Sequence, residues 1–258
     1  MLEGNGYSYM KGFILEVCVD STESAAEAVQ GGATRLELCA NLVIGGTTPS
    51  IFLFKEIRKF SNIPIHAIVR PRFGDFCNTE SELRIMAEEI RQFKDIGVEG
   101  VVTGVLLPDG SVDLVSMEML RNVADGMHFT MHRAFDMCKK PLDAIKQLEG
   151  LGVDTVLTSG QKSTCLDGLD LIKKLANLTK VDVMAGSGLT PDSVRQIRAV
   201  ADLTSYHLSG KVEINSPMAY RNADVNMGLP SLSEYDLWRT DAKRISEIRK
   251  ILEEPVTQ

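Results

Sequence analysis

Thr130-Met131-His132-Arg133-Ala134-Phe135-Asp136 decides how the whole chain is read. The run Met127 to Met131 feeds this stretch, and a helical pattern follows from Pro141. His132, Arg133 and Asp136 therefore stand at the C-terminal end of a β-strand. The same punctuation recurs along the chain. Glu16-Val17-Cys18-Val19-Asp20, Glu37-Leu38-Cys39, Arg70-Pro71-Arg72, Thr158-Ser159 and His207-Leu208-Ser209 each close a short strand with polar groups. Polar groups gathered at the C-terminal ends of many strands are the site geometry of a (β/α)8 TIM barrel.

Outward from that stretch, strand and helix patterns alternate eight times. Strands are predicted over 13–19, 35–39, 65–69, 100–106, 128–132, 155–157, 181–185 and 205–208. Helices follow at 21–30, 51–60, 79–96, 114–124, 142–151, 166–178 and 190–200. Ser21, Thr79 and Thr190 are the expected N-caps, and Thr79 with Glu82 forms a capping box. The 258 residues match the ~250 typical of one such barrel. A single domain over 1–258 is expected, with the barrel in about 13–210. The remainder, 211–258, reads as a polar loop holding Trp238 and an amphipathic helix over 240–252, which covers a barrel end or a subunit contact. The rival, a doubly wound open sheet, lacks Gly-x-Gly-x-x-Gly in its first βα turn. Gly45-Gly46-Thr47-Thr48-Pro49 lacks the Gly-Lys-Ser/Thr ending of a phosphate loop, so no nucleotide cofactor is expected.

A net charge of −7 and a pI near 5.2 argue against nucleic acid or an anionic membrane as partner. Met1 to Gly12 has no basic region followed by an apolar one, so no signal peptide is read there. No apolar run approaches the ~20 residues of a membrane span. A cytoplasmic protein is expected. The five cysteines, Cys18, Cys39, Cys77, Cys138 and Cys165, include no CxxC pair and read as free thiols, most of them small buried hydrophobes.

Side chains alternate along a strand, so Glu16 shares a face with Cys18, Glu37 with Cys39, Thr130 with His132, and His207 with Ser209. A carboxylate under an apolar helix layer costs several kcal/mol unless paired. Glu16 and Glu37 are therefore placed inside the barrel near its mouth, neutralised by Arg70, Arg72 or Arg133. Glu16, Glu37, Arg70, His132, Asp136 and Ser159 are expected to line one cavity. His66 and His128, at strand starts, read as structural.

Several segments in order resemble the CutC family of copper-homeostasis proteins. They are Glu-Val-Cys-Val-Asp at 16–20, Gly-Gly-Ala at 31–33 with Arg-Leu-Glu-Leu-Cys at 35–39, and Gly-Gly-Thr-Thr-Pro-Ser at 45–50. Arg-Pro-Arg-Phe-Gly-Asp-Phe at 70–76, His-Arg-Ala-Phe-Asp at 132–136 and Leu-Thr-Ser-Gly at 157–160 complete the set. The resemblance runs from about residue 13 to about 252. It implies a cytosolic TIM barrel, a homodimer or larger homo-oligomer such as a tetramer, linked to copper, with Cys39 the favoured ligand. Two departures stand out. Phe73 replaces a frequent Gly and is expected to narrow the mouth. Met184-Ala-Gly-Ser-Gly replaces Met-Pro-Gly-Gly-Gly, so Ser187 is expected to alter an anion contact.

Two chemistries fit these residues. The first is copper(I) binding by Cys18 and Cys39 at the ends of neighbouring strands, with His132 or His207 assisting, because Cu(I) prefers thiolate and accepts imidazole. Against it stands the reading of both as core thiols. The second is general acid–base catalysis on a small polar, sugar-like or phosphorylated substrate. Glu16, Glu37, His132 and Asp136 would supply acid and base. Arg70, Arg72, Arg133, Thr158, Ser159, Gly186, Gly188, His207 and Ser209 would bind substrate, the last turns being where such barrels hold phosphate. Against it stands a buried ion network that merely fills the barrel.

Overall fold

Eight strands pair in parallel and in chain order until the first meets the last. They are β1 (Ile14–Val19), β2 (Arg35–Leu38), β3 (Ile65–Ile68), β4 (Gly100–Thr103), β5 (His128–Met131), β6 (Thr155–Thr158), β7 (Asp182–Gly186) and β8 (Ser205–Leu208). This computed structural model describes residues 12–229 and 231–255; the reading of Met1 to Met10 and Lys11 lies outside them. Helices α1 (Thr22–Gln30), α2 (Ile51–Ile57), α3 (Glu80–Asp95), α4 (Leu114–Val123), α5 (Pro141–Gly150), α6 (Leu169–Leu178) and α7 (Pro191–Val200) follow the strands one by one. The chain is a (β/α)8 TIM barrel. Among the described residues no helix is long and apolar enough to cross a membrane.

The caps act as the side-chain chemistry requires. Ser21 Oγ accepts from the Ser24 amide, and the Thr79 and Glu82 side chains accept from each other's amides. Boundaries move by a few residues where turns intervene. β4 stops at Thr103, and Leu106 instead bridges Val112. α6 starts at Leu169, because Thr164–Gly168 is consumed in a turn.

The tail departs further from expectation. β9 (Lys211–Asn215) and β10 (Asp236–Thr240) form an antiparallel ribbon on which Trp238 lies. Its strands are charged, β9 largely exposed and β10 half-buried, and stand twenty residues apart, so neither alternation nor a tight turn announces them. The last helix, α8 (Ala242–Glu253), does not cover a barrel end. It packs between α7 and α1, closing the outer ring as the eighth helix, with Ile245, Ile248, Ile251 and Leu252 buried. Gly31 permits this approach: a Cβ there would lie 2.6 Å from the Ala242 carbonyl oxygen.

Strand alternation sends the apolar residues outward. Leu15, Val17, Leu36, Leu38, Val101, Phe129, Val156 and Tyr206 pack under the helices in one continuous core. The inward positions carry almost none of it. Inside the barrel a small apolar group, Cys18, Cys39, Ile68 and Val102 with Leu42 against it, accompanies the polar side chains.

Behind β6 the chain doubles back so closely that a Cβ on Gly168 would sit 2.0 Å from the Ser159 carbonyl oxygen. Gly168→Ala is expected to lower the unfolding free energy by about 1–3 kcal/mol or more. Urea unfolding checks this, and an unchanged midpoint would refute the close approach.

Candidate functional site

A polar column runs up the barrel axis. At its lower end Ser205 and Thr155 donate to Asp182 at 2.7 and 3.2 Å, and His128 Nε2 meets Thr155 Oγ1 at 2.9 Å. The His128 ring stacks on His66 at 4.8 Å, and His66 Nδ1 lies 3.7 Å from Glu16. Both histidines lie at the lower end of the column, where their positions at strand starts put them. Glu16 is fully buried at the centre. Arg35 Nε donates to its Oε2 at 2.5 Å, and His207 Nδ1 bonds its Oε1 at 2.8 Å. Above it His207 Nε2 stands 3.8 Å from Glu37, which accepts from the Cys39 thiol at 3.3 Å.

Register explains the pairing. Glu16 is opposite Arg35 across β1 and β2, and opposite His207 across β1 and β8. Glu16 and Glu37 are inside, as strand parity predicts, but the neutralising groups differ from those expected. Arg35 and His207 hold Glu16, whereas Arg72 pairs with Glu82 (2.6 Å) and Asp75 (2.9 Å) on the surface and Arg133 pairs with Asp136 at 2.8 Å. Arg35 was legible in part. It shares the face of Glu37 and Cys39 by parity, but only register brings it to Glu16.

The charges set each other. Burial opposes ionisation of Glu16, yet Arg35 and His207 outweigh it and hold its carboxyl far below the usual range. Burial likewise opposes protonation of His207, but Cys18, Glu37 and Glu16 raise its pKa well above the ordinary value. Glu37 is pushed upward by burial against the pull of His207. Burial, reinforced by Glu37, lifts the Cys39 thiol well above its ordinary value.

The column opens into a cavity of about 710 Å³ at the C-terminal mouth. Cys18, Glu37, Arg70, His132, His207 and Ser209 are in its wall, together with Arg133 and Gly188. Sγ of Cys18, a carboxylate oxygen of Glu37 and an imidazole nitrogen of His207 all lie within 4.8 Å of one another. Cys18 faces the cavity, while Cys39, the favoured ligand by resemblance, is 1% exposed and turned to Glu37. Arg70 is buried with its guanidinium over the Phe76 ring, and Phe76 in turn meets His132. His132 Nδ1 accepts from the Ala134 amide at 3.2 Å, which leaves the proton of the neutral ring on Nε2. Burial and the neighbouring Arg70 lower its pKa to about 3.

Other expected groups lie outside this wall. Asp136 accepts from Arg133 Nε, Thr158 Oγ1, the Ser159 amide and hydroxyl and the Gln161 amide, so it pins the β5 and β6 ends together. Thr158 and Ser159 are buried in that knot, and Gly186 lies below the cavity where a Cβ would strike Leu157 at 2.5 Å. Phe73 is 65% exposed and outside the cavity wall, so it does not narrow the mouth. Ser187 does line the cavity, in a left-handed conformation (φ 77°) that favours Gly, and its hydroxyl donates to the Ser163 carbonyl. Lys211 and Arg244 are also in the wall; Lys211 ends the Ser209-Gly210-Lys211 turn that sequence places at the usual phosphate position after the last strand, whereas Arg244, on the tail helix, carried no signal in sequence.

The CutC family model matches residues 13–212. The chain is 40% identical over 243 residues to the human "copper homeostasis protein cutC homolog", covering 93% of this chain and 89% of that one. It is 38% identical over 242 residues to a "family protein CutC" of Histophilus somni, covering 93% and 99%. The crystal structure of the putative copper homeostasis protein CutC from Streptococcus agalactiae superposes with a TM-score of 0.72. It is 28% identical and covers 76% of this chain and 98% of that one.

Two measurements test this electrostatic arrangement. Glu16→Gln strands the buried Arg35 charge and is expected to cost about 3–5 kcal/mol in chemical denaturation; a cost below 1 kcal/mol would contradict the central ion pair. The folded pKa of His132, about 3, lies below its free value of 6.5, so only the unfolded chain takes its proton in between. Its stabilising contribution is complete above pH 6.5 and is lost as pH falls towards 3, at about 1.4 kcal/mol per pH unit. Stability of His132→Gln followed over that window is expected to fall less steeply than that of the wild type.

Proposed function

Because the chain belongs to the CutC family, we propose that it serves copper homeostasis by holding one Cu(I) ion at the barrel mouth. Cys18 supplies the thiolate and His207 the imidazole, with Glu37 beside them and Cys39 as the second thiol. The observation that carries this reading is the convergence of Cys18, Glu37 and His207 at the cavity wall. Thiolate suits the soft Cu(I) ion and imidazole is acceptable to it. The Glu16 bond to His207 Nδ1 supports the reading further. It is the carboxylate contact that commonly orients a metal-ligating histidine and leaves Nε2 for the ion. The reading extends to a cytoplasmic homo-oligomer, a dimer or a tetramer, as the family resemblance implies.

A second reading rests on the size of the cavity. About 710 Å³ is far more than a bare ion needs and falls among the ~300–1,000 Å³ of small-molecule pockets. Glu37 and His207 would then act as an acid–base pair on a small polar substrate.

Copper binding displaces protons from thiol and imidazole, so its affinity is expected to rise with pH, up to about tenfold per pH unit for each proton released. Competition titration with a Cu(I) chelator under reducing conditions reads this directly. A tight one-to-one site is expected in the wild type, lost in Cys18→Ser and weakened in Cys39→Ser. Equal affinity in all three proteins would overturn the copper site. Turnover of a small polar substrate that stops in folded Glu37→Gln would instead establish the catalytic reading.

A further inference from the structure

Arg70 is a cation that the protein leaves without a counter-ion. It is 8% exposed, and among the described residues no carboxylate lies within ion-pair distance of it. Its hydrogen bonds go to backbone carbonyls, which engage donors and leave the charge in place. Nη1 donates to Gly46 at 3.0 Å and to Ile44 at 3.4 Å, and Nη2 donates to Gly74 at 2.8 Å. A guanidinium has five N–H donors, so two remain. One is the Nε–H, which has no partner and is shut off from water, and the other is the second hydrogen of Nη2. A guanidinium with a donor to spare engages an oxyanion through charge-assisted hydrogen bonds. The contrast with Arg35 is direct: that guanidinium, equally buried, spends its charge on Glu16 at 2.5 Å.

The surroundings point the same way. Arg70, Arg133, Lys211 and Arg244 stand in the cavity wall against two carboxylates, Glu37 and Glu247, in a chain whose net charge is −7. Three carbonyl bonds and the Phe76 ring, 5.0 Å from the guanidinium carbon, hold Arg70 in place before any ligand arrives. Such preorganisation lowers the entropic cost of binding. His132 beside it is neutral and adds no charge of its own.

We infer that the mouth cavity binds a small molecule through a carboxylate or phosphate group, which supplies the counter-ion that Arg70 lacks. The oxyanion faces the Arg70 guanidinium, while Lys211 and Arg244 face the rest of the molecule from the tail side. This deepens the small-molecule reading of the cavity and does not depend on copper.

The test uses the full chain with a copper chelator present and ionic strength held constant with chloride. Inorganic phosphate and acetate are titrated separately by calorimetry. Saturable binding of either anion is expected, and the one that binds tells phosphate from carboxylate. Arg70→Lys keeps the charge but loses the planar guanidinium donors, and is expected to weaken binding about tenfold or more, the worth of a charge-assisted hydrogen bond. Arg244→Gln, an exposed change, is expected to weaken it less. Should Arg70→Lys fail to fold, the 15N-detected Arg70 Nε–H resonance of the wild type replaces it, and a shift that saturates with the anion is expected. No saturable binding of either anion, undiminished binding in Arg70→Lys, or an Nε–H signal indifferent to the anion would overturn the inference. Those outcomes leave copper binding, and catalysis on an uncharged molecule, standing.

Discussion

Glu16 is an ionised carboxylate with no access to water, and the barrel interior is organised around neutralising it. An isolated buried charge is prohibitively costly, so it survives only with close, hydrogen-bonded partners. Arg35 and His207 provide them from the two neighbouring strands, 2.5 and 2.8 Å away. This pairing ties β1 to β2 and to β8, where the barrel closes. It also fixes the angle of the His207 ring, whose other nitrogen looks towards Glu37. The structural centre and the candidate site thus share one side chain.

The barrel separates its two tasks by strand face. The outward residues supply the apolar burial, packed beneath eight helices. That frees the inward positions for histidines, carboxylates and hydroxyls joined in one column. Buried ion pairs contribute little net stability compared with apolar packing of the same volume. A polar interior of this kind therefore adds less to the strength of the fold than the outward packing does. The two buried arginines mark the division. Arg35 is consumed inside the column, whereas Arg70 stands in the cavity wall with no carboxylate beside it among the described residues.

Much of this was legible along the chain. The polar strand ends at Glu16–Asp20, Glu37–Cys39 and His132–Asp136 announced a barrel, because side chains at the C-terminal ends of parallel strands converge on one face. Parity placed Glu16 and Glu37 inside, since no apolar helix layer tolerates a lone carboxylate. Asp136 was misread for a definite reason. A carboxylate at a strand end looks alike in sequence whether it faces a ligand or, as here, accepts from a hydroxyl and several amides of the next turn. Arg72 was misread similarly, because Glu82 lies a helical turn into α3 and only folding brings the two together. The β9–β10 ribbon escaped because twenty intervening residues separate two short, charged strands.

By itself the sequence determined the architecture, the inward set and the family to which the chain belongs. Those depend on local periodicity, on parity and on residue identity, all of which act within a few residues along the chain. Only the tertiary structure decided which charge meets which partner. Register chose Arg35 and His207 for Glu16, brought Cys18 rather than Cys39 to the cavity, and left Arg70 without a carboxylate among the described residues. Electrostatic neutralisation is a property of distance in space, and strands joined by whole helices set those distances only when the barrel closes.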